Sequence, residues 1–422
     1  MSVPAGLSIG LVGCGGMGRR HLRAYRALRG VGVDGFELTA VCDPRVAAAE
    51  EAADLAAEFM GSRPAVFSDH RELIASGAVE AIDVVTDPPT HHLIAVPALD
   101  AGVHVISEKP LGVTVRACRL MVDAAARSGA LLATAENYRR DGPNRLARAV
   151  IEAGLLGDIH LMIETNIGGD DAVVISPWRH IRESGSIALD MGAHYTDIFA
   201  YYLGELESVS GSAFIAEPLR VLAPGMGLPT GIEEASPGVM RATGEDSLVA
   251  LYNTAGGVPI QLTYIPSGPG RQWTQRSVHG RNGSMSIPRD RTGEPVVVSL
   301  GSRRLSGAEL RKELGGFELE GVAAAFFGSD GTEYDLPFEQ VDAATIAIEL
   351  DDFVSAVAQR RAPEVDGVGG LAAVAGVWAV AESMARGSAV RIADVADGTV
   401  SAAQDPVDEA IGLAELHAQA GT

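Results

Sequence analysis

Residues 190–197 read Asp-Met-Gly-Ala-His-Tyr-Thr-Asp, and Asp190, His194 and Asp197 fall at i, i+4 and i+7, on one face of a helix. Two carboxylates and an imidazole on one face suit proton transfer, with His194 as the base because an imidazole titrates near neutral pH. The plainer alternative is a satisfied polar cluster inside the fold. Two further segments carry chemistry: Thr86-Asp87-Pro88-Pro89-Thr90-His91 and Glu108-Lys109-Pro110-Leu111. Each directly follows a short apolar run. A lysine in such a place can donate to a reacting oxygen, although a lone lysine after a strand is usually only a loop residue.

Near the start, Gly13-Cys14-Gly15-Gly16-Met17-Gly18 forms a GxGxxG. The motif follows an apolar strand and opens a helix, as a dinucleotide fingerprint must. Gly13 allows the tight turn, Gly15 lets the backbone approach a pyrophosphate, and Gly18 lets helix and strand pack closely, with the phosphates at the helix N-terminus. The second strand ends in Val41-Cys42-Asp43, which puts a carboxylate where the adenosine ribose hydroxyls would donate. Asp43 favours NAD, because a carboxylate repels a 2′-phosphate. Arg45, two residues on, can soften that preference, or it is simply a solvated arginine at a helix start.

The elements that must position these residues follow from the apolar pattern. Leu7–Gly13, Phe36–Cys42, Ala65–Phe67, Ile82–Thr86, His104–Ser107 and Leu131–Thr134 read as strands, separated by helices at 16–28, 46–59, 92–101 and 114–128. Such alternation, with near-continuous apolar strands, predicts a parallel sheet covered on both faces. In an open α/β sheet ligands bind beyond the carboxyl ends of the strands. Thr86, Pro88, His91, Glu108 and Lys109 therefore sit where a nicotinamide would lie.

After about Gly157 strands follow one another in hairpin-like succession: 159–164, 208–214, 246–253, 259–265, 274–280 and 284–288. They predict a mostly antiparallel second sheet, interrupted by helices at 187–203 and 343–359, with another helix at 370–386. Two segments, 217–244 and 301–332, are rich in turn formers and lack a period. The first reads either as a surface excursion or as a lid or partner-subunit loop that shapes the substrate cleft. The expected organisation is a dinucleotide domain at 1–140, a substrate-binding and oligomerisation domain at 141–400, and a poorly ordered tail at 401–422.

The net charge of −22 argues against a nucleic-acid partner, which needs a basic surface, and against an anionic membrane. No run reads as spanning a bilayer and no signal peptide is apparent, and the three cysteines form no CxxC pair, so no metal site is expected. Few cysteines fit a reducing cytoplasm.

Taken together, GCGGMG, VCDP, TDPPTHH, SEKPL, ENYRR, IEAGLLGDI and DMGAHYTD resemble the glucose-fructose oxidoreductase, inositol dehydrogenase and MocA-like family. The resemblance extends over residues 7–205 and more loosely over 246–288. It implies a Rossmann domain followed by an α/β domain with an open sheet, NAD as cofactor, and Lys109, Asp190 and His194 as the catalytic lysine, aspartate and histidine. It places Tyr138, Arg139, Trp178 and Arg179 beside a substrate cleft. It also implies a homo-oligomer, from dimer to hexamer. Two departures stand out: Ser184-Gly185-Ser186 where a glycine run is usual, and Thr86-Asp87-Pro88 in place of Thr-Pro. The activity implied is NAD-dependent oxidation of a secondary hydroxyl of a sugar, glycoside or cyclitol. Alternatives are an NAD-retaining enzyme that cleaves or isomerises glycosides through transient oxidation, and a non-catalytic NAD-responsive binding protein.

Overall fold

A computed structural model describes residues 6–228, 232 and 234–413. The first half alternates β1 (Leu7–Val12), α1 (Gly16–Gly30), β2 (Phe36–Cys42), α2 (Val46–Met60), β3 (Ala65–Phe67), α3 (His70–Ala75), β4 (Ala81–Val84), α4 (His91–Asp100), β5 (His104–Glu108), α5 (Val115–Ser128) and β6 (Leu132–Ala135). All pairings are parallel and the order is β3-β2-β1-β4-β5-β6, the Rossmann arrangement. The strands are apolar on both faces because helices cover both: Ile9, Leu11, Ile82 and Val105 are fully buried. The chain order reverses between β1 and β4, and the crevice at that switch point opens beyond Gly13, Asp43 and Thr86.

The second half adds α6 (Gly142–Glu152), β7 (Ile159–Ile167), α7 (Ile187–Leu203), β8 (Leu206–Phe214), β9 (Leu219–Val221), β10 (Glu234–Ser236), β11 (Val239–Arg241), β12 (Ser247–Thr254), β13 (Pro259–Ile265), β14 (Trp273–Gly280), β15 (Ser284–Ile287), β16 (Val297–Leu300) and β17 (Arg303–Leu305). It ends with α8 (Gly307–Glu313), α9 (Gly321–Phe327), α10 (Phe338–Gln359), α11 (Gly367–Arg386), β18 (Val390–Arg391), α12 (Ile392–Ala396) and α13 (Asp405–Ala410). The large sheet runs β17-β16-β15-β14-β7-β13-β12-β8-β18, and only β7 and β13 pair in parallel. One face is covered by α7 and α11. The other carries Val249 and Leu251 of β12 into solvent, alternating with the buried Leu248, Ala250 and Tyr252.

Four expectations are corrected. Helix α10 falls within the expected second domain, yet Ile346, Ala347, Leu350 and Phe353 pack into the dinucleotide-domain core with Leu22, Tyr25 and Leu28 of α1. Its apolar stripe was visible, but a stripe does not say which sheet it covers. Segment 217–244 is not simply irregular: β9, β10 and β11 form a small antiparallel sheet, and segment 301–332 contains β17, α8 and α9. The tail is packed as far as Leu413: Gln404 accepts from the Val115 amide at 2.8 Å and Asp408 from the Thr114 hydroxyl at 2.6 Å. Finally, α11 is long and apolar enough by composition to cross a bilayer, but here it is a core helix wedged against α7, β8 and α5.

Candidate active site

The fingerprint has the geometry that its glycines require. Gly13 has φ +102°, and a Cβ there would lie 2.7 Å from the Val85 carbonyl oxygen. A Cβ on Gly18 would lie 2.1 Å from the Gly13 carbonyl oxygen, so the first turn of α1 can lie on β1 only with glycine here. The α1 N-terminus, with Gly15 as its cap residue and Gly16 and Met17 in its first turn, has no side-chain cap, which leaves its amides for a pyrophosphate. Asp43 accepts from the Cys14 amide at 2.8 Å and the Arg45 amide at 2.9 Å, so its carboxylate is held at the mouth of the crevice. Arg45 is not free in solvent: Nε and Nη2 reach Asp43 at 3.2 and 3.3 Å. These residues fit a dinucleotide with free ribose hydroxyls.

The loops after β4 and β5 are tied together. His91 is fully buried, with its ring nitrogens 3.0 Å from the Thr86 carbonyl and 3.1 Å from the Pro110 carbonyl. It braces the two loops rather than presenting its ring to a cofactor, which corrects the expectation for this residue. Thr86 accepts from the Thr90 hydroxyl at 2.7 Å, and Pro88 is buried in the same turn. Glu108 likewise faces inward. It accepts from the Lys109 amide at 2.9 Å and meets His21 Nε2 at 3.1 Å, while His21 Nδ1 meets Asp83 at 2.8 Å. The strand end that carries Lys109 is thereby anchored to α1 and β4.

Lys109 reaches across to α7, where Nζ donates to Asp190 Oδ1 at 2.7 Å. The other oxygen, Oδ2, accepts from Arg179 Nε at 2.8 Å, and the Arg179 guanidinium lies over the Trp178 ring at 4.2 Å. Burial disfavours the Asp190 anion, but Lys109 and Arg179 outweigh it and hold this carboxyl well below the usual range. One turn on, His194 places Nδ1 2.8 Å from both oxygens of Glu136. Burial, helped by the Lys109 charge, pushes the imidazole well below its ordinary value, and burial pushes Glu136 up to about 7. Lys109, Asp190 and His194, the set the family resemblance implies, are thus brought to one place, with Trp178 and Arg179 beside them.

Two residues expected beside the substrate take packing and ion-pairing roles instead. Tyr138 is buried and stacks on His194 with centroids 3.8 Å apart and planes at 2°, so it backs the imidazole. Arg139 turns to the C-terminal side of α7 and pairs with Asp197, which removes Asp197 from the proton-transfer set. Conversely, Glu136 and Arg291 were missed. Glu136 follows β6 directly, and a carboxylate at the carboxyl end of a parallel strand was a usable signal. Arg291, whose guanidinium lies 5.2 Å from the Tyr138 centroid, comes from a distant loop and gave none.

Comparison with known proteins agrees with the two-domain fold. The family described as "Oxidoreductase family, NAD-binding Rossmann fold" matches residues 7–136, and the GFO/IDH/MocA C-terminal domain matches residues 144–286. A levoglucosan dehydrogenase from Pseudarthrobacter phenanthrenivorans is 30% identical over 302 residues, covering 69% of this chain and 76% of the relative. An inositol 2-dehydrogenase from Saccharopolyspora erythraea is 32% identical over 215 residues, 49% of this chain and 56% of its own. Among solved structures, a levoglucosan dehydrogenase bound to NADH and L-sorbose superposes with TM-score 0.72 at 24% identity, covering 92% of this chain and 98% of that one. The cofactor is NAD, and the chain belongs to the glucose-fructose oxidoreductase, inositol dehydrogenase and MocA family of NAD-binding oxidoreductases.

Proposed function

We propose that the protein oxidises a secondary hydroxyl of a sugar, glycoside or cyclitol. The observation that carries this reading is the convergence of Lys109, Asp190 and His194, with Arg179 and Trp178 alongside. Relatives named for levoglucosan and for inositol support the substrate class.

The residues divide the work. The hydroxyl oxygen is bound by Lys109 Nζ, a donor aimed at the oxygen whose charge grows as its proton leaves. His194, neutral because it is buried, accepts that proton. Asp190, kept anionic, orients Lys109 and Arg179 together. NAD, held at the α1 N-terminus and by Asp43, would supply the hydride acceptor. Trp178, half-exposed beside Arg179, offers an apolar face for a sugar ring.

The test is a panel of polyols, free sugars, anhydro-sugars, cyclitols and glycosides with NAD, read at 340 nm. Stoichiometric NADH from at least one is expected, and none across the panel would sink the reading. With the substrate found, Lys109→Ala and His194→Ala should each lower turnover by roughly 10²–10⁴.

Self-association and a cytoplasmic setting belong to the same proposal. The open face of the large sheet carries Val249, Leu251, Phe214 and Trp273 into solvent, which supports a homo-oligomer. Three free, buried cysteines support a reducing compartment. Light scattering that gave the monomer mass of 43.8 kDa at micromolar protein would overturn the first.

A further inference from the structure

We propose that Glu136 is a positioning residue that fixes the tautomer of His194 and balances the charge the imidazole acquires when it takes the substrate proton. The inference rests on His194 acting as the base.

The geometry is specific. Both carboxylate oxygens lie 2.8 Å from Nδ1, the arrangement in which this ring nitrogen, when it carries the proton, donates to the Glu136 carboxylate. Nε2 is then the lone-pair nitrogen, since the hydrogen bonds to Glu136 engage the ring through Nδ1. The ring cannot swing away, because Tyr138 stacks on it with centroids 3.8 Å apart and planes at 2°. Glu136 is itself held by the Tyr138 amide at 2.9 Å.

The electrostatics explain why such a partner is needed. Burial and the Lys109 and Arg291 cations all oppose an imidazolium at His194, whereas Asp190 and Glu108 favour one. Asp190 is already committed to Lys109 and Arg179. Glu136 is the carboxylate in contact with the ring. Facing it are Lys109 and Glu108 from the β5 end, Arg139 from the turn after β6, and Glu349 of α10, with Asp197 of α7 nearby. In the forward step the substrate O–H bond breaks and its proton forms a bond to Nε2. The carbon's hydride, with its two electrons, would go to the NAD that the dinucleotide domain holds when loaded. The Nδ1 proton is shared with or passed to Glu136, so the dyad ends one proton richer and buried charge does not build up on the ring.

Glu136→Gln keeps the shape but removes the charge, and Glu136→Asp keeps the charge at a shorter reach. The expected result for Glu136→Gln is a fall in kcat of about 10² or more at neutral pH, the scale for loss of an orienting acid behind a histidine base. The NAD Kd and substrate KM should hold within about threefold, with partial recovery in Glu136→Asp. The acidic limb of kcat/KM, set by the dyad, should shift in Glu136→Gln. A structural role alone would not move that limb. Wild-type kcat with an unmoved limb would overturn the proposal. So would a ¹⁵N spectrum of histidine-labelled wild-type holoenzyme showing His194 protonated at Nε2 rather than Nδ1. That spectrum needs neither a variant nor a substrate, so its failure is distinct from failure of the sugar-oxidation reading.

Discussion

Arg139 grips Asp197 with two hydrogen bonds, Nε to Oδ2 at 2.9 Å and Nη2 to Oδ1 at 2.5 Å, and both side chains are nearly buried. The carboxylate is a counter-ion that pins the turn after β6 to α7. Asp197→Ala leaves a buried guanidinium short of its partner, at a cost of about 3–5 kcal/mol. Calorimetry should show Tm falling by several degrees, while kcat measured well below the new Tm stays within about threefold. An unchanged Tm with a collapsed kcat would return Asp197 to the chemistry.

That pair also marks how far sequence reasoning reached. Asp190, His194 and Asp197 share one helix face, as their spacing predicts. A face two turns long, however, spans both the cleft and its back wall, and only the position of Arg139 separates them. The dinucleotide half was legible because its signals are local: a glycine turn, a strand end, a helix start. Glu136 and Tyr138 were harder, since their role depends on α7 crossing the end of β6, a contact 58 residues apart in sequence for Glu136 and His194. Helix α10 shows the same limit, because its apolar stripe fits either sheet and tertiary topology chooses.

The cofactor preference turns on Asp43. Its carboxylate is fixed by the Cys14 and Arg45 amides, and the Arg45 guanidinium is paired to it, so a 2′-phosphate would meet an anion whose neighbouring cation is already engaged. NAD should bind more tightly than NADP, and Asp43→Ser should narrow the gap by about tenfold, the scale of one polar contact. Titrations of both cofactors against both proteins check this. Equal or tighter NADP binding by the unaltered protein would reverse the assignment.

A pH effect follows from His21. Burial alone would disfavour its charged form, but Asp83 and Glu108 outweigh burial and push it up to about 10, from an ordinary value of 6.5. The folded chain therefore holds a proton that the unfolded chain releases over that range. The stabilisation is complete below about pH 6.5 and is lost as pH rises towards 10. Urea midpoints measured from pH 6 to 10 should fall for the unaltered protein. His21→Asn should start lower and fall less. If the two curves stay parallel, His21 does not carry the proton.

The small sheet β9–β11 bears on substrate binding through one strand. Val221 donates its amide to the Asp171 carbonyl at 2.8 Å and accepts from the Val173 amide at 2.9 Å, so β9 braces the segment that leads to Trp178 and Arg179. The brace is itself anchored by Arg220, which is fully buried and bonds Asp246 at 2.5 Å. Ile175, with φ +62° and mostly exposed, lies in that segment, and a β-branched residue holds such a backbone only when its surroundings enforce it. Val221→Pro removes the donor to Asp171, while the Arg220 guanidinium still reaches the Asp170 and Ala172 carbonyls at 3.0 and 3.3 Å. The segment should then relax and Arg179 lose its fixed approach to Asp190. The expected outcome is a rise in substrate KM of roughly tenfold, about 1.4 kcal/mol of lost binding, with the NAD Kd unchanged. An unaltered KM would show that the Val221 bonds have no part in shaping the cleft.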